Sequence, residues 1–202
     1  MKETPRRGKL LRHHRHGTNE RFQMTSSIIL SGVGGQGIIL AAKIIAEAAK
    51  ICGFPVCSNE IHGMAQRGGS VTAQVRFGDG VCSPLILEGT ADVLASLEHI
   101  EALRWAHFLK PGGTAVVSKQ SIIPVTVSSG GATYPKDVEE RLNAVFPSLK
   151  YYDCVSKAVE MGDSRFANSI LTGMVSSALT LELDAWHKAL EARIPGKMLS
   201  KN

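Results

Sequence analysis

The run Gly32-Val33-Gly34-Gly35-Gln36-Gly37 constrains this chain more than any other stretch, because of what stands on either side of it. Ile28, Ile29 and Leu30 form a short apolar run before it. From Ile38 to Ile51 only Lys43, Glu47 and Lys50 are charged. Those charges are spaced by four and by three, so they share one stripe of a helix and leave its remaining surface apolar. A strand that turns on glycines into a helix buried against a sheet opens an α/β fold.

Gly32-x-Gly34-x-x-Gly37 fits the dinucleotide-binding fingerprint. Glycines there permit a sharp turn and a close backbone approach, and the helix start offers free N–H groups to an anion. Glu60 falls where such a site places its ribose-binding acid. The same glycines also serve a helix that packs tightly on a sheet with no ligand at all. Gln36 adds a polar side chain that favours contact with a ligand or a partner.

Farther along, strand and helix patterns alternate. Residues 54–58 read as a second strand, and 59–69 as an irregular segment. Val71, Ala73, Val75 and Phe77 alternate with Thr72, Gln74 and Arg76, the pattern of a strand buried on one face. This region suggests an antiparallel excursion. Further strands are expected at 85–87, 92–97, 114–118, 125–127 and 151–155. A helix is expected from 98 to 109, stopped by Lys110-Pro111-Gly112-Gly113. Another is opened by Pro135, and a long one, capped by Asp163 or Ser164, runs to Leu183. A last helix holds Trp186, Ala189, Leu190 and Ala192. The expected architecture is α/β: a Rossmann-like, mostly parallel sheet flanked by helices, beginning with a parallel βαβ unit and ending in a helical C-terminal region.

Charge argues against nucleic acid. Residues 1–23 carry Lys2, Arg6, Arg7, Lys9, Arg12, Arg15 and Arg21 against Glu3 and Glu20, which accounts for the whole net charge of +5. The body from 24 to 202 is formally neutral, so a basic binding face would rest on the leader alone. That leader reads as disordered, rich in Arg, His and Gly. Met24, just before the first strand, is a candidate start. Cys52, Cys57, Cys82 and Cys154 have neither metal-site nor iron–sulfur spacing, and no signal peptide or apolar run of membrane-spanning length is found. A reducing cytoplasm is the expected location.

The densest chemistry lies in Ser58-Asn59-Glu60-Ile61-His62-Gly63-Met64-Ala65-Gln66-Arg67-Gly68-Gly69-Ser70. His62 can shuttle a proton, Arg67 can hold a carboxylate or phosphate, and Glu60 can pair with either. Gln66, Gly68 and Gly69 complete a loop suited to contact.

These two segments together resemble the gamma domain of 2-oxoacid:ferredoxin oxidoreductases. The glycine run is similar to one shared across that family. Glu60-Ile61-His62-Gly63-Met64-Ala65-Gln66-Arg67-Gly68-Gly69-Ser70-Val71 resembles its indolepyruvate branch. Asp92-Val93-Leu94, Leu97-Glu98, Glu101-Ala102-Leu103-Arg104 and Lys110-Pro111-Gly112-Gly113 are similar to the family too, and Pro195 to Asn202 resembles the start of its final segment. The resemblance spans 26–202 and leaves out the first 23 residues.

The resemblance implies oxidative decarboxylation of an aryl 2-oxoacid to an acyl-coenzyme A. Thiamine diphosphate and iron–sulfur clusters would sit on a larger alpha subunit, which passes electrons to ferredoxin. This chain would bind none of them tightly and would be inactive alone. Its part would be to complete the active site or the coenzyme A path at the interface, with Gly32, Gly34, Gly35, Gln36 and Gly37 facing a phosphate or the partner's backbone. His62 and Arg67 would face the acyl or carboxylate end. Two other readings stand beside this one: a free-standing dinucleotide-binding oxidoreductase using Glu60, and an assembly module that contacts no small molecule. Within the family, pyruvate or a branched-chain 2-oxoacid is the alternative substrate. The apolar helices also predict that the isolated chain pairs with itself.

Overall fold

The computed structural model describes residues 25–62, 68–131 and 133–194, with the backbone alone for His62, Val125 and Thr126. The leader, the segment 63–67 and the last eight residues therefore lie outside the described residues. So do the expectations for Gln66 and Arg67.

Six strands form one sheet: β1 (Ser26–Val33), β2 (Val56–His62), β3 (Ser70–Phe77), β4 (Ala91–Ser96), β5 (Leu109–Ser118) and β6 (Leu149–Tyr152), in the spatial order β2-β3-β1-β4-β5-β6. β1, β4, β5 and β6 are parallel, while β3 runs antiparallel to both β1 and β2. The antiparallel excursion is thus present, and β3 is the one reversed strand of a mostly parallel sheet. It also separates the two strands that the glycine turn joins. β1 and β2 point the same way, but β3 lies between them, so the opening βαβ unit is split.

The alternation of side chains along the strands sorts the core into two layers. Ile28, Leu30, Val93, Ala95 and Val116 face α1 (Ile38–Ile51), α5 (Cys154–Glu160), α6 (Ala167–Ser176) and α7 (Leu183–Arg193). Ile29, Leu94, Ala115 and Val117 face α2 (His99–Arg104) and α4 (Val138–Val145). α1 has the bounds its periodicity predicts, with Lys43 and Lys50 exposed and Ile44, Ile45, Ala48 and Ala49 fully buried. Burying an isoleucine of this kind is worth about 1.5–3 kcal/mol, so the apolar faces of α1 alone anchor it firmly.

Several elements differ from the sequence reading, each for an identifiable reason. β2 continues to His62, because it pairs along its whole length with β3 from Val56↔Phe77 to His62↔Val71. The ladder overrides the polar character of Asn59, Glu60 and His62. β3 is buried on both faces, not one. Thr72 and Gln74 are both buried, and over Gln74 the connection after β3 folds back. Gln74 Oε1 accepts the Ile86 N–H at 2.8 Å, and the Arg76 guanidinium donates to the carbonyls of Ser83 and Leu85. Residues 85–87 are therefore held by side chains and form no strand.

The expected helix 98–109 is α2 followed by a 3-10 turn, Ala106–Phe108. β5 then begins at Leu109, so Lys110-Pro111-Gly112-Gly113 enters a strand. Residues 125–127 form a short helix, α3 (Val125–Ser128), not a strand; a run this short carries no period that separates the two. α4 starts at Val138, three residues after Pro135. β6 ends at Tyr152, because Asp153 caps α5 by accepting the Ser156 N–H at 2.9 Å. Asp163 does cap, but it caps a 3-10 turn, Ser164–Phe166. α6 follows and ends at Ser176, short of Leu183. Among the described residues no helix is long and apolar enough to cross a membrane.

Candidate functional site

The chain leaves β1 for a helix on one face and leaves β4 for a helix on the other. Between those two parallel neighbours the sheet therefore has a switch point, and a crevice opens beyond the carboxyl ends of the strands. The glycine run lies at this edge.

Each residue of the run has a distinct part. A Cβ on Gly32 would meet Gln36 Oε1 at 2.8 Å and Ile38 Cδ1 at 2.9 Å, so the bare backbone admits the side chains that follow. The Gly34 N–H donates to the Gly69 carbonyl at 2.8 Å, which ties the run to the start of β3. Gly35 is exposed, with φ 102° and open space where a side chain would be. Gly37 caps α1 with φ 85°, and a Cβ there would collide with the buried Asn168 amide of α6.

Gln36 is internal in its bonding. Its Oε1 accepts the Val33 N–H at 2.6 Å, and its Nε2 donates to the Leu97 carbonyl at 2.9 Å and to Gln120 Oε1 at 2.8 Å. Both amide hydrogens are used, so Gln36 is a clamp across the crevice. What the run offers outward is backbone: Gly34 and Gly35, and the first turn of α1, which no side chain caps.

Two hollows flank it. One, of about 300 Å³, is lined by Val33, Gly34, Gly35, Gly37, Ile38 and Val71 and is mainly apolar. The other, of about 170 Å³, lies at the switch point between Gly35, Gln36, Leu97, Gln120, Ser164 and Arg165. Arg165 faces Asp163 at 2.5 Å and is largely neutralised by it. Such a setting suits a chain-like ligand or partner segment with an apolar body and an anionic or carbonyl-rich end.

His62 comes close to this edge through its backbone. It pairs with Val71, and Val71 pairs with Gly32, so the three stand in one row across the sheet. Gly68 and Gly69 lead into β3 beside it. Glu60 is not brought to the run. It stands two residues back in β2, opposite Ala73 and one strand removed from β1, and it pairs with Lys43 at 3.8 Å. Where β1 and β2 are neighbours an acid at the end of β2 can reach a ribose beside the first turn; here β3 intervenes.

The sequence reading missed a buried polar junction at the start of α2. Glu98 caps α2 by accepting the Glu101 N–H at 2.8 Å, and it also accepts the Tyr134 hydroxyl at 2.7 Å. His99 Nε2 lies 2.8 Å from the Tyr134 hydroxyl and 2.9 Å from Ser121 Oγ, while Nδ1 lies 3.0 Å from the Tyr151 hydroxyl. With the Tyr134 proton committed to Glu98, the consistent arrangement has Nε2 donating and Nδ1 accepting from Tyr151. Glu98 and Glu101 stand in stretches that resemble the family, but no local pattern joins them to Tyr134 or Tyr151.

Burial pushes the His99 pKa below its ordinary value, outweighing the Glu98 carboxylate that favours the cation. Burial and the bond to Glu98 push the Tyr134 hydroxyl up, and burial raises that of Tyr151. The unfolded chain therefore binds the His99 proton more readily than the folded one. The stability from neutral His99 is complete above about pH 6.5 and is lost as pH falls from there through the depressed folded value. Melting temperatures taken from pH 7.5 down to 5 should fall more steeply for the natural chain than for His99→Gln. Parallel curves would assign the acid sensitivity to other groups.

Residues 27–202 match the family described as pyruvate ferredoxin/flavodoxin oxidoreductase. The indolepyruvate oxidoreductase subunit IorB of Pyrococcus horikoshii is 40% identical over 184 residues, which is 87% of this chain and 90% of that protein. The crystal structure of the gamma subunit of a keto/oxoacid ferredoxin oxidoreductase from Geobacter sulfurreducens has a TM-score of 0.64 at 25% identity, over 87% of this chain and 90% of that one. The same fold lies within a longer chain, 2-oxoglutarate:ferredoxin oxidoreductase from Magnetococcus marinus. There the match covers 88% of this chain and 29% of that one, with a TM-score of 0.64; at 21% identity it speaks for the fold alone.

Proposed function

Because this chain belongs to the pyruvate ferredoxin/flavodoxin oxidoreductase family, we propose that it is the small subunit of a 2-oxoacid ferredoxin oxidoreductase whose substrate is an aryl 2-oxoacid such as indolepyruvate. The observation that carries this reading is the 40% identity, over nearly the whole length of both chains, with an indolepyruvate oxidoreductase subunit. The geometry agrees in kind: the glycine run spends its side-chain bonds internally and turns bare backbone and an apolar hollow outward.

In this reading a larger partner brings thiamine diphosphate and iron–sulfur clusters, which supply the decarboxylation and the electron path. The bond between the 2-oxoacid's carboxyl and keto carbons breaks, carbon dioxide leaves, a thioester forms with coenzyme A, and two electrons pass to ferredoxin. This chain's share is positioning. The N–H groups at Gly35 and the start of α1 face a coenzyme A phosphate, and the apolar hollow takes the adjoining arm. The location we assign is the cytoplasm, where the four unpaired cysteines stay reduced. Without its partner the chain is expected to pair with itself.

Anaerobic capture of the protein from its native lysate tests this reading, followed by dye reduction with indolepyruvate and coenzyme A. A brown, larger partner and turnover dependent on both compounds is the expected result. A colourless chain that stays alone and binds NAD would overturn it. Pyruvate or a branched-chain 2-oxoacid as the preferred substrate would correct the substrate while keeping the rest. Against the dinucleotide alternative stands the place of Glu60, which β3 separates from the run.

A further inference from the structure

Glu98, His99 and Glu101 reach, between them, two of the segments that touch the glycine run. On one side three consecutive residues are fastened to the start of α2. The His99 N–H donates to the Gln120 carbonyl at 3.2 Å, the His99 ring meets Ser121 Oγ at 2.9 Å, and the Ile122 N–H approaches Glu98 Oε1 at 3.4 Å. Tyr134, bonded to both Glu98 and His99, closes this side from the far end of the same connection. Gln120, so held, meets Gln36, and Gln36 in turn takes the Val33 N–H. On the other side Glu101 Oε2 accepts the Ser70 hydroxyl at 2.5 Å, and next to Ser70 the Gly69 carbonyl takes the Gly34 N–H. Two arms from one helix start thus arrive at two adjacent residues, Val33 and Gly34.

We propose that this junction is a positioning device for the glycine run, with Gln120 and Ser70 as the residues through which it acts. The physical reason is the Gln36 amide. Its oxygen is held by the Val33 N–H, and its two amide hydrogens by the Leu97 carbonyl and Gln120 Oε1, so loss of Gln120 leaves one hydrogen without its partner and loosens the clamp on Val33. Glu98 and Glu101 are nearly inaccessible acids, which is costly unless their oxygens are fully used. Here one oxygen of each acid serves α2 itself, Glu98 Oε2 at the Glu101 N–H and Glu101 Oε1 at Arg104, while the other reaches the connection that carries Gln120 or the residue beside Gly69. Neither Glu98 nor Glu101 lines either hollow, so both are positioning residues; Gln120 itself forms part of the wall of the smaller hollow. The inference goes beyond the subunit reading and does not need the partner to be tested.

The test is amide exchange measured by NMR in the 15N-labelled full chain. In Gln120→Ala, exchange at Val33 and Gln36 is expected to quicken about tenfold or more while the β4 amides of Leu94 and Ala95 keep their rates. In Ser70→Ala the same change is expected at Gly34. Gln120→Glu keeps an oxygen for Gln36 Nε2 and should restore the natural rates at Val33 and Gln36. Unchanged rates at the run, or a rise shared equally with β4, would overturn the proposal, the second because it marks plain loss of stability. Should Gln120→Ala fail to fold, Ser70→Ala with Gly34 as reporter decides alone. In the assembled oxidoreductase Gln120→Ala should raise the coenzyme A KM with little change in kcat. Absence of turnover in the natural complex would count against the subunit reading only, and the exchange result would stand.

Discussion

Gly37→Ala is expected to destabilise the chain by about 3 kcal/mol, which for a chain of this size lowers the melting temperature by roughly 10 °C. Two separate causes add. The residue caps α1 with φ 85°, and an alanine in the left-handed region costs about 1–2 kcal/mol. Its methyl group would also collide with the amide of Asn168, a buried residue on α6 that has little room to withdraw. Gly35 separates the two causes. Its φ is 102°, but nothing lies within 4 Å of a Cβ there, so Gly35→Ala should show the backbone cost alone. In an Asn168→Ala background the extra penalty at Gly37 should shrink to that same value, giving a coupling of about 1–2 kcal/mol. A Gly37→Ala protein that melts with the natural one would mean that α1 and α6 are not packed as described. The functional consequence is a division of labour: Gly37 is committed to packing helix on helix, and Gly34 and Gly35 are the part left to meet anything outside the chain.

The sequence was most readable where one period dominates. α1 could be bounded to the residue because its apolar surface is broken only by one charged stripe, and β1, β4 and β5 announced themselves as short apolar runs. Legibility ended where tertiary contacts replace local pattern. Nothing near Gln74 says that the Ile86 segment will fold back over it, so β3 reads as half exposed. β2 read as ending early, since the polar residues in its second half become a strand only when β3 pairs with them. The glycine run is legible in the sequence, but the inward role of Gln36 is not, because its three partners include Leu97 and Gln120, 61 and 84 residues away in sequence. The junction at Glu98 and His99 was invisible for the same reason: Tyr134 and Tyr151 join His99 from 35 and 52 residues away. Local signals find where a backbone turns. They do not find which distant amide or hydroxyl completes the site.

His62→Ala/Arg67→Ala in the assembled oxidoreductase is expected to leave assembly intact and to lower turnover about a hundredfold or more. The expectation starts from placement. The backbone of His62 ends β2 in the same row as Val71 and Gly32, and Gly69, two residues after Arg67, bonds directly to Gly34. The segment that carries both side chains therefore begins and ends at the edge where the glycine run and the apolar hollow lie. As residue types, an imidazole and a guanidinium are suited to a substrate that carries a carboxylate and a partly negative keto oxygen, because an oriented cationic donor gains strength where charge develops during reaction. Contact of subunits, by contrast, draws on large apolar surface, and two polar truncations in a glycine-rich segment remove little of it. Size-exclusion of the mixed subunits and indolepyruvate-dependent dye reduction read the two properties separately. A double variant that no longer binds its partner subunit would make this segment an interface element and move the search for the carboxylate-binding group to the partner. A variant that assembles and turns over normally would remove both residues from the reaction.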